Sequence, residues 1–300
     1  MTTSRPADTD PFEQAGPARL RIRECVVDAS ERPLVMGILN VTPDSFTDGG
    51  RYDSLPRALS RAREMIAEGA DIIDVGPEST RPGAHDVPAD EQICRAVAVI
   101  RAVREDDRRI AVSIDTRLGV VARAALDAGA DLINDTSALR DDPALAGVAA
   151  ESGAALVLMH RRGSLKDMQA GGGPEYRDVV AEIRDFFVER MRFAEACGID
   201  RSRIILDPGI GFGKRVEDNL TILRELSRFA DLGRPLLVGA SRKRFLGAVL
   251  GLDDPGDRVA GSLACAALAT MSGAAVLRAH DVRATVEVMR TCTAIRGPRR

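Results

Sequence analysis

The stretch LPRALSRAREMIAEGADIIDVG (residues 55–76) contains the repeating unit of the fold. Leu55, Leu59, Ala62, Met65 and Ile66 recur at three- and four-residue spacing, which predicts a helix with one apolar face. Gly69-Ala70 follows, and glycine there supplies the left-handed turn that ends a helix. DIIDVG is then a short, continuous apolar run. Continuity, rather than alternation, predicts a parallel strand covered on both faces.

The same unit recurs on either side. LVMGILN (34–40) precedes it. IAVSIDT (110–116), DLINDT (131–136), AALVLMH (154–160), RIILDPG (203–209), PLLVGAS (235–241) and AAVLRAH (274–280) follow. Helical patterns lie between them, among them VVARAALDAGA, VVAEIRDFFVERMRFAEACG and NLTILRELSRFADLG. Gly-Ala junctions return at Gly129, Gly153 and Gly273. Eight strands alternating with helices predict an α/β fold, a single (β/α)8 barrel of the TIM type spanning residues 19–300. A doubly wound open sheet is the alternative, but no G-x-G-x-x-G follows the first strand. RLRIRECVVDAS (19–30) predicts a small hairpin closing the barrel's bottom. Residues 1–18, rich in Pro and Asp, read as a disordered leader.

Composition excludes several classes. Hydrophobic residues make up 45% of the 300 and charged residues 29%, a globular balance. A net charge of −3 offers nucleic acid no general attraction. No apolar run reaches the ~18 residues of a membrane span. The leader has no apolar core of a secretory signal. Five unpaired-looking cysteines, without C-x-x-C, suit a reducing cytoplasm. Lysine occurs only at Lys166, Lys214 and Lys243, so arginine serves almost everywhere a generic surface cation would do. A retained lysine is then a candidate for a position needing a compact point charge.

Chemistry in this architecture gathers where strands end. Those ends carry Asn40, Asp74, Asp115, Asn134 with Asp135, His160, Asp207, Ser241 with Lys243, and Arg278 with His280. Any one Asp or Asn could merely cap the next helix. Polar groups at all eight ends of one rim argue for a site. Asp115, Asp207 and Asn134 in a cup suit a flat, amide-rich heterocycle, because carboxylates accept N–H donors and an amide plays both roles. Arg278 is planar enough to lie across a ring, and Met159 offers a soft apolar face. Arg81, Arg278 and His280 supply cations for an anion, and Ser79 and Thr80 supply hydroxyls. Asn40 could hold a hard ion such as Mg2+, which takes few protein oxygens. GASRKRFLG (239–247) opens a helix whose first N–H groups, with Ser241 and Lys243, suit a second anion. His160 reads as a satisfied structural residue, His85 as a solvated one, and Glu78 as a loop carboxylate without chemical duty. Three dispersed histidines argue against zinc.

On these residues the chain resembles the dihydropteroate synthase family. MGILNVTPDSFTDGG (36–50) is similar to its first signature and DIIDVGPESTRPGA (71–84) to its second. SIDT (113–116), LINDTS (132–137), ILDPGIGFGK (205–214), LLVGASRKRFLG (236–247) and LRAHDV (277–282) follow in order. The resemblance implies a transferase that joins 4-aminobenzoate to a 7,8-dihydropterin and expels diphosphate. It implies Asp115, Asn134, Met159, Asp207, Gly239, Lys243 and Arg278 around the pterin, with Lys243, Arg278 and Asp115 closest to catalysis. It implies Asn40, Thr80, Arg81, Arg278 and His280 at the diphosphate, with Mg2+ at Asn40. Phe46, Thr80, Pro82, Phe212 and Ser241 would wall the aminobenzoate, which sulfonamides imitate. A homodimer is implied as well. Three departures touch the loops: Pro77 in place of glycine, Gly163-Ser164-Leu165 in place of Gly-Thr-Pro, and Arg244 in place of serine. A pterin-dependent methyltransferase would not need Asn40, the TPDSF loop or Ser-Arg-Lys, and all three are present. A non-catalytic pterin-binding paralogue is the other alternative.

Overall fold

A computed structural model describes residues 19–22, 25–29, 31–41, 50–78, 86–164, 168 and 173–297. The leader, Phe46, Ser79, Thr80, Arg81, Pro82 and His85 lie outside the described residues. The chain opens with β1 (Arg19–Ile22) and β2 (Cys25–Asp28), then β3 (Leu34–Asn40), α1 (Gly50–Glu68), β4 (Ile72–Gly76), α2 (Ala89–Asp106), β5 (Ala111–Asp115) and α3 (Gly119–Asp127). Next come β6 (Leu132–Asp135), α4 (Ala144–Ser152), β7 (Ala155–Met159), α5 (Val179–Ala196), β8 (Ile204–Asp207) and α6 (Val216–Arg224). β9 (Leu237–Val238), α7 (Arg244–Leu250), α8 (Val259–Met271), β10 (Val276–Ala279) and α9 (Val282–Arg296) complete it.

β3 to β10 pair in parallel in the order β8-β7-β6-β5-β4-β3-β10-β9. A single bridge, Leu206 to Leu236, with Leu206 N donating to Pro235 O at 2.9 Å, spans the seam between β8 and β9. The eight apolar runs are thus the eight staves of a nearly closed barrel. All five residues of β4 and of β7 are buried, as two-sided covering requires. One core lies between barrel and helices, with Met65, Ile73, Ile100, Ile114, Leu156 and Phe187 in it. A second fills the barrel's lower interior. There Leu20 and Ile22 of the β1–β2 hairpin pack on Met36, Ile72, Leu132 and Ile205, so the hairpin is the predicted bottom plug.

One predicted helix divides. NLTILRELSRFADLG is α-helical only to Arg224, and Leu226–Leu232 is a 3-10 helix. Its buried residues, Leu226, Phe229 and Leu232, recur every third position, the period at which 3-10 side chains share one face. The four Gly-Ala junctions all have glycine at positive φ, as helix-ending turns need.

Candidate functional site

Register places the site. Parallel pairing sets Asp115 of β5 beside Asn134 of β6, and Met159 of β7 beside Asp207 of β8. β10 delivers Arg278 from the other side of β3. These five, with Thr136, Ile210, Phe212, Gly239 and Lys243, line one cavity of about 320 Å3 at the upper end of the barrel. All seven residues implied around a pterin therefore meet in one place. Gly239 lies against the Arg278 stem, where a Cβ would make an ordinary van der Waals contact at 3.7 Å.

Asp74 was legible only as one strand end among eight, and it is the buried centre of the polar cluster. The Arg278 guanidinium donates from Nε to Asp74 Oδ2 at 2.7 Å and from Nη2 to Asp115 Oδ2 at 2.7 Å. Asn134 Nδ2 donates to the same Asp74 oxygen at 3.1 Å. Asp74 has no exposed surface and Arg278 only 17% of its side chain. Arg278 is thus a guanidinium held in a fixed plane, not a rim cation free to swing. Its Nη1 has no partner among the described residues and is the nitrogen left for a ligand. Thr136 and Ile210, also on the cavity wall, carry no pattern that would single them out in a sequence.

Electrostatics follow from burial. Burial pushes the Asp115 carboxyl up from the usual range, with Arg278 pulling the other way and Asp74 adding to the rise. Burial also raises Asp207, opposed by the Gly209 N–H, 2.7 Å from its Oδ1, and by Lys243. The Lys243 ammonium is pushed down to about 8 by burial and then by Arg278. Its Nζ stands 4.0 Å above the Phe212 ring centroid, a cation–π contact. For Arg278 burial acts downward, but Asp74 and Asp115 prevail and keep it firmly charged.

Other expected residues sit differently. His280, read as a cation, is pushed down to about 3, chiefly by burial and then by Arg278, so its imidazole is neutral. Its Nδ1 is 3.0 Å from Ser241 Oγ, which also accepts the His280 backbone N–H at 3.2 Å. Ser241 and His280 thus satisfy each other beside the cavity, and Ser241 lines a separate small void behind β9 and β10. Phe212 joins the main cavity. Asn40 ends β3 next to Gly76 of β4, where a Cβ on Gly76 would come within 3.3 Å of Asn40 Oδ1. Among the described residues no three His, Cys, Asp or Glu side chains gather to ligate a metal. A lone amide oxygen fits an ion that keeps most of its waters or takes ligand oxygens, as Mg2+ does. Glu78, read as idle, ties the base of its loop: its Oε1 accepts the Val87 N–H at 3.1 Å, and Arg117 stands 3.4 Å away.

The acceptors on Asp207 are the easiest to test. Asp207→Asn presents N–H where a heterocycle's N–H must be accepted. Charge-assisted hydrogen bonds are worth ~1.5–3 kcal/mol, so pterin affinity falls about tenfold or more, with the melting temperature little changed. Calorimetry with a pterin checks it, and unchanged affinity would remove Asp207 from the reading group.

Comparison with known proteins bears on the same residues. A family model described as pterin binding enzyme matches residues 36–280, from β3 through His280. The dihydropteroate synthase of Synechocystis sp. is 44% identical over 279 residues, 93% of this chain and 96% of the relative. The structure of Xanthomonas albilineans dihydropteroate synthase with 4-aminobenzoic acid superposes with a TM-score of 0.86 at 43% identity, covering 94% of this chain and 99% of that one. A Yersinia pestis dihydropteroate synthase solved with a sulfonamide drug gives 0.86 and 43%, covering 93% and 99%. With barrel, cavity and motif order all in agreement, the chain belongs to the dihydropteroate synthase family of pterin-binding enzymes.

Proposed function

We propose that the protein transfers the (7,8-dihydropterin-6-yl)methyl group from diphosphate to the amine of 4-aminobenzoate, giving 7,8-dihydropteroate and diphosphate. The carrying observation is the one cavity in which two buried carboxylates, an amide and two cations converge. The methylene C–O bond breaks and diphosphate leaves with its electron pair. The aminobenzoate nitrogen forms the new C–N bond and loses a proton. Asp207, Asp115 and Asn134 bind the pterin edge, and Met159 covers one face. Arg278, locked by Asp74, and Lys243 present fixed positive charge near the reacting carbon. Such charge stabilises a leaving anion without reorganising as it departs.

The finer assignments belong to the same reading. Asn40, Thr80, Arg81, Arg278 and His280 receive the diphosphate, with a neutral His280 serving as a hydrogen-bonding group. Asn40 would hold Mg2+, which when bound would neutralise charge on the diphosphate. Phe46, Thr80, Pro82, Phe212 and Ser241 wall the aminobenzoate. The protein acts in the cytoplasm as a homodimer. Exposed Leu220, Val249, Leu250, Leu268 and Met271 on the touching helices α6, α7 and α8 support a self-association face, which sedimentation velocity tests. No helix among the described residues is long and apolar enough to cross a membrane.

The test is diphosphate release. It should require both the pterin diphosphate and 4-aminobenzoate, and sulfamethoxazole should inhibit it competitively against aminobenzoate. Phe212 on the cavity wall supports sensitivity, and no inserted segment separates GFGK from the following α6. No diphosphate release from the two substrates together would overturn the reading. Release that sulfamethoxazole leaves unaffected would overturn the expected drug sensitivity alone.

A further inference from the structure

The mechanism above makes no use of Lys214, although it is the most deeply buried lysine described, with 2% of its surface exposed. It is an unusual buried cation. No carboxylate lies within ion-pair distance of it among the described residues. Instead Nζ donates to His160 O at 3.3 Å and to Phe212 O at 3.1 Å and stands 2.9 Å from His160 Nδ1. Burial pushes Lys214 down to about 7 and leaves the His160 ring neutral, so Nζ and Nδ1 share one hydrogen bond. Burial holds the His160 pKa well below its ordinary value, with Lys214 adding to the effect, consistent with that neutral ring. Phe186 steadies the ring edge-on at 4.9 Å.

These bonds tie two strand ends together. His160 follows β7, and its backbone N–H donates to Asp207 O at 2.9 Å. Lys214 closes the loop after β8. Tyr176 adds a second tie, donating from its hydroxyl to Gly213 O at 2.7 Å. The loop lies flat on the β7 end: a Cβ on Gly209 would overlap the His160 carbonyl, and one on Gly213 the Arg162 carbonyl. Both glycines have positive φ, at 66° and 59°. Between the ties lies Phe212, whose N–H donates to Gly209 O at 3.0 Å while its carbonyl is held by Lys214. Its ring packs with Met159 and Met168 and carries Lys243 Nζ on its face.

We propose that Lys214 and Tyr176 form a two-point clasp that positions Phe212 as an aromatic wall for the second substrate. Both are positioning residues, since neither lines the cavity. The clasp sets the place of an aromatic wall, while Asp115, Asn134, Asp207 and Arg278 keep their own supports. Its loss is therefore felt unevenly, by aminobenzoate more than by pterin. This rests on the proposed function for the identity of the second substrate.

The decisive variants are Lys214→Met, which keeps the stem and removes the donors, and Tyr176→Phe, which removes one hydroxyl. In Lys214→Met the KM for aminobenzoate should rise about tenfold, as sub-ångström misplacement of a positioning group does. The pterin dissociation constant, by calorimetry, should stay within about twofold, as for a site outside the altered contacts. Tyr176→Phe should move the same KM in the same direction by less. A second readout needs no turnover: 19F spectra of protein labelled with 4-fluorophenylalanine at its eight phenylalanines, the Phe212 signal identified by its absence in Phe212→Leu. That signal should shift or broaden in both variants. An unmoved Phe212 signal overturns the proposal, and so does an equal loss of pterin affinity and aminobenzoate KM, the mark of a general structural role. If Lys214→Met does not fold, Tyr176→Phe decides by the same criteria. A wild-type protein that releases no diphosphate would overturn the function and leave the clasp to be judged on the 19F signal alone.

Discussion

Asp74→Asn lowers both stability and pterin affinity, although Asp74 does not itself line the cavity. Asp74 is fully buried and holds Arg278 and Asn134 through one oxygen, Oδ2. Its other oxygen, Oδ1, is buried without a partner among the described residues. The asparagine has the same shape but no charge, and Arg278 is left with Asp115 alone. Breaking a buried pair costs ~3–5 kcal/mol, and because Asp115 remains the loss should be about 3 kcal/mol. For a chain of 300 residues that corresponds to a fall of about 5 °C in the thermal midpoint. Asn134 is freed to turn, so the pterin-reading amide is no longer fixed, and affinity should fall about tenfold or more. The variant also has a signed pH signature. Asp74 helps to raise the Asp115 pKa, so its neutralisation makes Asp115 ionise more readily, and any proton-linked step in pterin binding that belongs to Asp115 moves to lower pH. Thermal melts and calorimetry across pH measure all three. A variant that melts with the wild type and binds pterin equally well would show that Asp74 does not organise the cluster.

The same residue shows what sequence could and could not disclose. The eight apolar runs announced eight strands because two-sided burial leaves a continuous signature, and β3 to β10 fall inside those runs. The polar strand ends announced a site because charge at the end of a buried strand is costly unless it is used. What pairs with what was not legible. Asp74 and Arg278 are 204 positions apart, and only closure of the barrel brings them to 2.7 Å. Charge state was not legible either. His280 looks like a cation beside Arg278 in the string RAH, yet burial and that same neighbour make it neutral. Lys214 could be noticed as a scarce lysine inside a motif, but its partners include the carbonyl and imidazole of a residue 54 positions away, which no spacing reveals. The break at Glu225 was legible in principle: three apolar residues at strict threefold spacing signal 3-10 rather than α geometry.

Lys243→Met should cut turnover about a hundredfold, the scale of losing one fixed charged donor from a preorganised site, while the melting temperature does not fall. The two effects separate because Lys243 is held charged against its own preference. Its pKa is about 8 in the folded protein and 10.5 ordinarily, with burial the main cause and Arg278 the next. Between those values the unfolded chain binds the proton and the folded chain does not, so stability contributed through Lys243 rises with pH across that window. Below pH 8 the ammonium is a cost, and methionine, of similar length, removes it and still covers Phe212. An exposed, solvated lysine would behave differently: it contributes ~0–1 kcal/mol, and its loss leaves activity intact. The pH profile supplies the second check. The ammonium form of wild-type Lys243 declines above about pH 8, so kcat/KM, which reports the free enzyme, should fall on that alkaline side. In the methionine variant the residual activity should lack that limb. Bound diphosphate adds negative charge beside the ammonium and raises its pKa, so the limb in kcat should lie at higher pH than the limb in kcat/KM. Full turnover in Lys243→Met, or an alkaline limb that survives the substitution, would assign the fixed charge to another group, and Arg278, which stays protonated throughout, would be the cation that faces the departing diphosphate.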